Sequence, residues 1–401
     1  MASGDKLWRI GDSHVGDVPY RRCSVSVLDT IDDPTMQFDD EGRSQYYHQY
    51  RSAYEQFVRE GAEGRAALER TVDRVKAEGA GKRYDCIIGL SGGVDSTFLA
   101  MQAVRLGLRP LAVHFDNGWN SSIAVSNVEN AVTTLGLDLH TLVVDWAEFR
   151  DLQLSYLRAS VVDVEVPTDH AIAGTLYRLA ATHGVRHLLT GSNVATESVL
   201  PPHWIFNKLD HVNLLDIHKH FGTRKLKSYP IFGGMQKRRA NELLKIESHA
   251  LLNLVDYNFE NAKSLIASEL GWREYGAKHH ESVFTRFYQC YILPRKFGID
   301  KRKAHLSNLI FSGQLNRGAA LKMLESRPCD ENVVSSDRKF LLKKLEISSS
   351  EFERIMLEPP RPHTSFKTER PLLETVPGGA ALRPLVSLAR QGLTRLSKPK
   401  Q

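Results

Sequence analysis

Ser91-Gly92-Gly93-Val94-Asp95-Ser96 is the part of this chain best suited to hold phosphate. It follows the apolar run Cys86-Ile87-Ile88-Gly89-Leu90 and precedes Thr97-Phe98-Leu99-Ala100-Met101, so a buried strand breaks into a small-residue turn that opens a helix. Paired glycines let the backbone approach a ligand without a Cβ clash, and the unpaired N–H groups of a helix's first turn point at whatever anion sits there. Ser91 and Ser96 add hydroxyl donors, and Asp95 can orient them or help hold a metal ion. The spacing is not that of the GxxxxGK[ST] loop, because no lysine follows the glycines.

Three further groups carry usable chemistry. His114-Phe115-Asp116-Asn117-Gly118-Trp119-Asn120 closes a second apolar run, at the carboxyl edge where open α/β sheets bind ligands; Asp-Asn-Gly is equally the composition of a simple turn. Thr190-Gly191-Ser192-Asn193-Val194-Ala195-Thr196-Glu197 repeats the design of strand followed by small polar residues. Asp169 stands just before a helix and reads either as its cap or as a substrate contact. The cations Lys278, His279, His280, Arg286, Lys301 and Arg302 are candidates for carboxylate or phosphate, with Lys278 and Arg286 preferred.

These residues need a scaffold. Apolar runs at 85–90, 111–115, 139–144 and 187–190 alternate with helical stretches at 96–106, 123–135 and 171–182, and Gly107, Gly136 and Gly184 stand at or just beyond their ends. That alternation predicts βαβ units and a parallel, doubly wound sheet over residues 81–235. Residues 1–80 are expected to form an N-terminal arm ending in a polar helix over 46–78, with Tyr54, Phe57, Ala67, Leu68 and Val72 facing inward. Residues 236–345 read as a helical domain for substrate or partner, with Leu243, Leu244, Leu251 and Leu252 among its apolar positions. The remaining 346–401, rich in proline, glycine and arginine beyond Pro359, are expected to be a mobile basic tail.

The 401 residues carry a net charge of +6, which suits an anionic small substrate as well as nucleic acid. Cys23, Cys86, Cys290 and Cys329 show no CxxC pair, so reduced thiols are expected, with neither a disulfide framework nor a closed zinc site. The first residues lack a basic start followed by an apolar core, and no run has the ~18 apolar residues of a membrane span, so a cytoplasmic location is expected.

The hexapeptide at 91–96 resembles the pyrophosphate loop of the N-type ATP pyrophosphatases, called PP-loop enzymes. That resemblance implies that Ser91, Gly92, Gly93, Val94, Asp95 and Ser96 bind ATP, and that His114, Phe115 and Asp116 meet its nucleoside. It also makes the 190–197 stretch a second glycine motif, with Gly191 and Asn193 at the nucleotide and Glu197 joining Asp95 on magnesium. Beyond these motifs, residues 271–282 (GWREYGAKHHES) and 296–305 (KFGIDKRKAH) are similar to the N-acetyl sugar amidotransferases of bacterial surface-polysaccharide pathways. The similarity runs over roughly residues 20–325.

What this resemblance implies is an ATP-dependent conversion of an acetamido group on a nucleotide-linked sugar into an acetamidino group. The amide oxygen attacks the α-phosphorus of ATP, pyrophosphate leaves, and ammonia then displaces AMP. Ser91, Asp95, Lys278 and Arg286 are the implied catalytic residues. No cysteine lies in a Gly-x-Cys-x-Gly elbow, so the ammonia is expected from a separate glutaminase, with a channel-forming partner. Many relatives carry a four-thiolate zinc knot near the N-terminus; here the matching positions are Cys23, Ser26, Ser44 and Tyr47, and one thiolate cannot close a tetrahedral site. A tRNA-modifying PP-loop enzyme and a non-catalytic nucleotide-binding scaffold are the competing readings. The first would need an RNA platform of alternating aromatic and basic residues, which 237–324 does not show.

Overall fold

The computed structural model describes residues 18–369. Strands β1 (Cys86–Gly89), β2 (Pro110–Asp116), β3 (Asp138–Val143), β4 (His187–Leu189) and β5 (Glu247–His249) make one sheet in the order β3-β2-β1-β4-β5, every pair parallel. Ile88 pairs with Ala112 on one side and Leu189 on the other, which puts β1 at the centre. Cys86, Ile87 and Ile88 are at most 1% exposed. An unbroken apolar run is what a strand covered on both faces needs.

Helices α1 (Gln45–Phe57) and α2 (Gly61–Glu78) precede the sheet. Within it come α3 (Val94–Arg105), α4 (Ser122–Leu135), α5 (Trp146–Ala159), α6 (Val166–His183), the short α7 (Val194–Glu197), α8 (His211–Phe221) and α9 (Gly234–Glu242). After β5 follow α10 (Phe259–Leu270), α11 (Val283–Phe287) with π-helical turns at Tyr288–Phe297, α12 (Arg302–Phe311), α13 (Arg317–Glu325), α14 (Glu331–Leu345) and α15 (Ser349–Leu357). One face of the sheet is covered by α3, α4 and α10 through Met101, Val128, Ala131, Ile266 and Leu270. The other is covered by α6 and α9 through Leu179, Ala180 and Ala240, packed on Ile87, Leu111 and Val113. The doubly wound α/β sheet expected from the alternating pattern is therefore the fold.

Several local expectations change. The stretch 46–78 is two helices, broken where the Arg59 N–H donates to the Asn253 carbonyl, and Phe57 is 53% exposed instead of facing inward. Strand β5 lies inside 236–345, which read as helical; Glu247-Ser248-His249 is an edge strand with no apolar run to announce it. Leu243 and Leu244 are exposed, while Leu251 and Leu252 are core. The packed body also continues past residue 346: Phe352 of α15 is fully buried, and His363 stacks on Phe206 with ring centroids 4.2 Å apart. The leucine and arginine pattern at 382–396 lies outside the described residues.

Cys290 and Cys329 form a disulfide, contrary to the reduced thiols expected. They sit 39 positions apart, on the π-helical segment and on the connector between α13 and α14, and only tertiary packing brings their Cα atoms to 5.7 Å. His280 is beside them, its Nε2 3.8 Å from Cys290 Sγ. This is the group of three metal-type donors found among the described residues, and its two sulfurs are bonded to each other. In the N-terminal arm, Cys23 Sγ accepts the Ser44 N–H at 3.2 Å. Burial opposes the thiolate of Cys23, but hydrogen bonds from Ser26 and Ser44 outweigh it and hold the thiol below its usual range. The arm is anchored to α12 by Lys303, whose ammonium lies 2.9 Å from both Asp29 and Asp32.

Candidate active site

The sheet order reverses direction at β1: the chain leaves toward β2 and β3, then returns on the other side as β4. A crevice opens at such a switch point, outside the carboxyl ends of the strands. The loops after β1 and β4 meet there. A Cβ on Gly191 would lie 3.1 Å from the Asp95 carbonyl carbon and 3.2 Å from the Ser96 nitrogen, so a larger residue would push the two loops apart by a few tenths of an ångström. Above them lies a cavity of about 620 Å³, lined by Ser91, Gly93, Val94, Asp95, Ser96, Gly191, Glu197, Lys278 and residues of α10, α12 and the 272–281 segment.

The loop is held open from within. Gly92 adopts φ +81°, and any Cβ there would come within 2.6 Å of the Ala124 carbonyl oxygen. Its own carbonyl accepts the indole N–H of Trp272 at 2.9 Å. Gly93 is the N-cap of α3 and its N–H donates to Ser91 Oγ at 3.2 Å, while Ser91 Oγ and Ser96 Oγ are 3.1 Å apart. Hydroxyls and first-turn N–H groups thus converge at the positive end of a helix, the arrangement that receives an anion.

Opposite the loop, Lys278 Nζ lies 2.9 Å from Asp95 Oδ2, 2.9 Å from Glu197 Oε1 and 2.9 Å from Thr196 Oγ1. Burial opposes the charge on Lys278, but Asp95 and Glu197 outweigh it and keep the ammonium above the usual lysine range. Tyr257 donates to Asp95, and Asn193 reaches the same carboxylate at 3.4 Å while capping α7. Burial pushes the Glu281 carboxyl up to about 7, against the pull of the Tyr275 hydroxyl and of Lys278. Burial, with Lys278 adding to it, brings His305 down to about 4, so this imidazole is neutral at physiological pH.

The structure therefore brings together Ser91, Gly92, Gly93, Val94, Asp95, Ser96, Gly191, Asn193, Glu197 and Lys278. It separates the others. Arg286 does not line the cavity; its Nε and Nη2 donate to the two carboxylate oxygens of Asp337 on α14, both at 2.7 Å. His114, Phe115 and Asp116 also stand off the cavity wall. These three residues end β2: His114 Nδ1 lies 2.9 Å from the Leu90 carbonyl oxygen, Phe115 packs on Phe149, and Asp116 Oδ1 accepts the Gly118 N–H at 2.8 Å. Asp169 makes no side-chain cap and pairs with Lys208 at 2.9 Å. Of the remaining cations, His279 and Arg302 line the cavity, Lys301 lines a smaller adjoining one, and His280 turns to Cys290.

Tyr257, Trp272, Tyr275, Glu281 and His305 are site residues that reading by residue type did not single out. Four of them lie inside the two motifs at 271–282 and 296–305, where the motif match was the available signal; Tyr257 stands in neither.

Residues 281–377, about a quarter of the chain, match the family model of the C-terminal domain of WbpG-like LPS biosynthesis proteins. Over these residues the chain is similar to that domain. The WbpG-like domain begins at Glu281 and supplies Arg302 and His305 as well to the cavity, whose opposite wall is the loop after β1. Two solved structures also align with the chain. NMN synthetase from Francisella tularensis does so at 13% identity over 51% of this chain and 86% of that one, with a TM-score of 0.27. A predicted subunit of tRNA methyltransferase from Methanocaldococcus jannaschii does so at 15% identity over 45% and 75%, with a TM-score of 0.26. Comparison with curated proteins gives no match. Among the described residues no helix is long and apolar enough to cross a membrane.

Proposed function

We propose that this chain is an ATP-dependent, AMP-forming amidotransferase that turns an acetamido group of a nucleotide-linked sugar into an acetamidino group in surface-polysaccharide synthesis. The observation that carries this reading is the cavity at the switch point, where the 91–96 loop faces Lys278 and the first residues of the WbpG-like domain. An amide carbon is a poor electrophile, and transfer of AMP to its oxygen makes that oxygen a leaving group. The loop's N–H groups and hydroxyls would hold the departing pyrophosphate, and Lys278 would place a fixed positive charge beside it. Asp95 and Glu197 already converge on one cation, Lys278, and are oxygen donors of the type magnesium takes, so they fit that ion. When bound, it would neutralise charge on the phosphates.

The ammonia has to be made elsewhere on this reading. Cys23 and Cys86 are buried, and Cys290 and Cys329 are bonded to each other, which favours a separate glutaminase, with a channel-forming partner, as the supplier. The test is incubation with ATP, ammonium and a panel of nucleotide-linked acetamido sugars, followed by mass spectrometry for AMP and for replacement of the sugar's amide oxygen by NH. Ser91→Ala and Asp95→Asn should lower AMP release at least about 100-fold with an unchanged circular dichroism spectrum. AMP release that no acetamido sugar stimulates would overturn the reading.

A further inference from the structure

We infer that Glu281 is the general base of the amination step, accepting a proton from the nitrogen that attacks the activated carbon. This rests on the amidotransferase reading and goes past it by assigning the second half-reaction to one side chain.

Glu281 stands where the two walls of the cavity meet. A methyl group placed on Gly93 would lie 3.4 Å from Glu281 Oε1 and 3.3 Å from the Tyr275 hydroxyl oxygen, so the carboxylate looks directly at the loop. Its main chain is pinned to the connection between β2 and α4: the Ser121 N–H donates to the Glu281 carbonyl at 2.8 Å, and the next residue, Ser282, bridges to Asn120. Tyr275 donates to the carboxylate, which fixes its rotamer. The other oxygen, Oε2, is shut off from solvent and finds no hydrogen-bond partner among the described residues. Buried carboxylate oxygens are rarely left unpaired, because the lost hydration is costly. Oε1 is the oxygen turned to the loop, and through it Glu281 lines the cavity.

Three of the other titratable groups facing this space are poorer bases. Lys278 is held as a cation by two carboxylates. Asp95 already accepts from Lys278, Tyr257 and Asn193. His305 is neutral but weakly basic, with its titration down at about 4. Glu281, pushed up to about 7, suits proton acceptance near neutral pH, since a base works best when its own titration lies close to the working pH.

The step balances as follows. Ammonia forms a C–N bond to the imidate carbon, and the adduct nitrogen gives one proton to Glu281. The C–O bond to AMP breaks with its electron pair going to AMP, and the proton returns to the sugar-side nitrogen. The products are amidinium and AMP.

Two assays on the intact chain separate the half-reactions. Exchange of labelled pyrophosphate into ATP, in the presence of an accepted acetamido sugar nucleotide, reads the first; amidine formation from added ammonium reads the second. Glu281→Gln keeps the Tyr275 hydrogen bond and removes the base. It should retain exchange to within about threefold and lose amidine formation about 100-fold or more. Glu281→Asp keeps a base that is set back by one methylene and should fall between the two. Amidine formation at the unsubstituted rate in Glu281→Gln would overturn the assignment, and so would parallel loss of exchange with an unchanged circular dichroism spectrum. If the unsubstituted protein itself gives no exchange with any acetamido sugar, the amidotransferase reading fails and this inference with it.

Discussion

Lys278 and Arg286 lie eight positions apart, on either side of the start of the WbpG-like domain, and as sequence they are the same proposition: a cation in a basic, aromatic stretch. Their fates differ. Lys278 sits on an irregular segment that folds over the β1 loop, and its partners are two carboxylates from the ends of the sheet. Arg286 is carried on α11, one turn further, and faces α14, where Asp337 takes both of its forks. What a buried cation does is set by which element supplies its counter-charge. A pair formed between a helix and a sheet crevice stays beside ligand space; a pair between two packed helices closes on itself.

Breaking each pair should show this. Lys278→Met leaves Asp95 and Glu197 facing one another without their shared cation, and AMP formation should fall at least about 100-fold, accompanied by about 3 kcal/mol of lost stability in urea unfolding. Arg286→Met should destabilise to a similar extent, about 3 kcal/mol, by stranding Asp337, yet leave kcat within about twofold once the protein is folded. Loss of activity in the folded Arg286 variant would return that residue to the site.

The smallest and sharpest test is pH. His280 is lowered to about 4 by burial first and by Arg286 second, and His305 to about 4 by burial and Lys278. Both imidazoles therefore bind a proton less readily folded than unfolded, where histidine titrates near about 6.5. The stability they allow is fully present above about 6.5 and is lost as pH falls toward 4, by up to about 3 kcal/mol for each. Melting temperature should drop over that window. Arg286→Met should raise the His280 titration seen by NMR and leave that of His305 unmoved; the reverse pattern would contradict the separation of the two cations.

Much of this was legible because it is local. The β1 run, the 91–96 loop and the start of α3 are consecutive, so burial on both faces, a tight turn and a helix N-terminus are each written in adjacent residues. The glycine pattern after β4 was legible for the same reason, and its closeness to Asp95 followed once β1 and β4 paired. Strand β5 was not legible, since an exposed edge strand of three residues needs no apolar signal. Nor was the Cys290–Cys329 bond, which joins positions 39 apart. The stretch at 114–120 was legible only as a choice between ligand contact and turn, because both use the same residue types.

By itself the chain of residue types determined the parallel sheet, its phosphate-ready loop and the set of charged groups available, since periodicity, glycine placement and backbone N–H geometry act over a few neighbouring positions. Tertiary structure alone decided that Lys278 and Glu281 enter the crevice while Arg286 closes on Asp337. Those outcomes depend on counter-charges and cavity walls contributed by distant segments, and no local rule reaches across such separations.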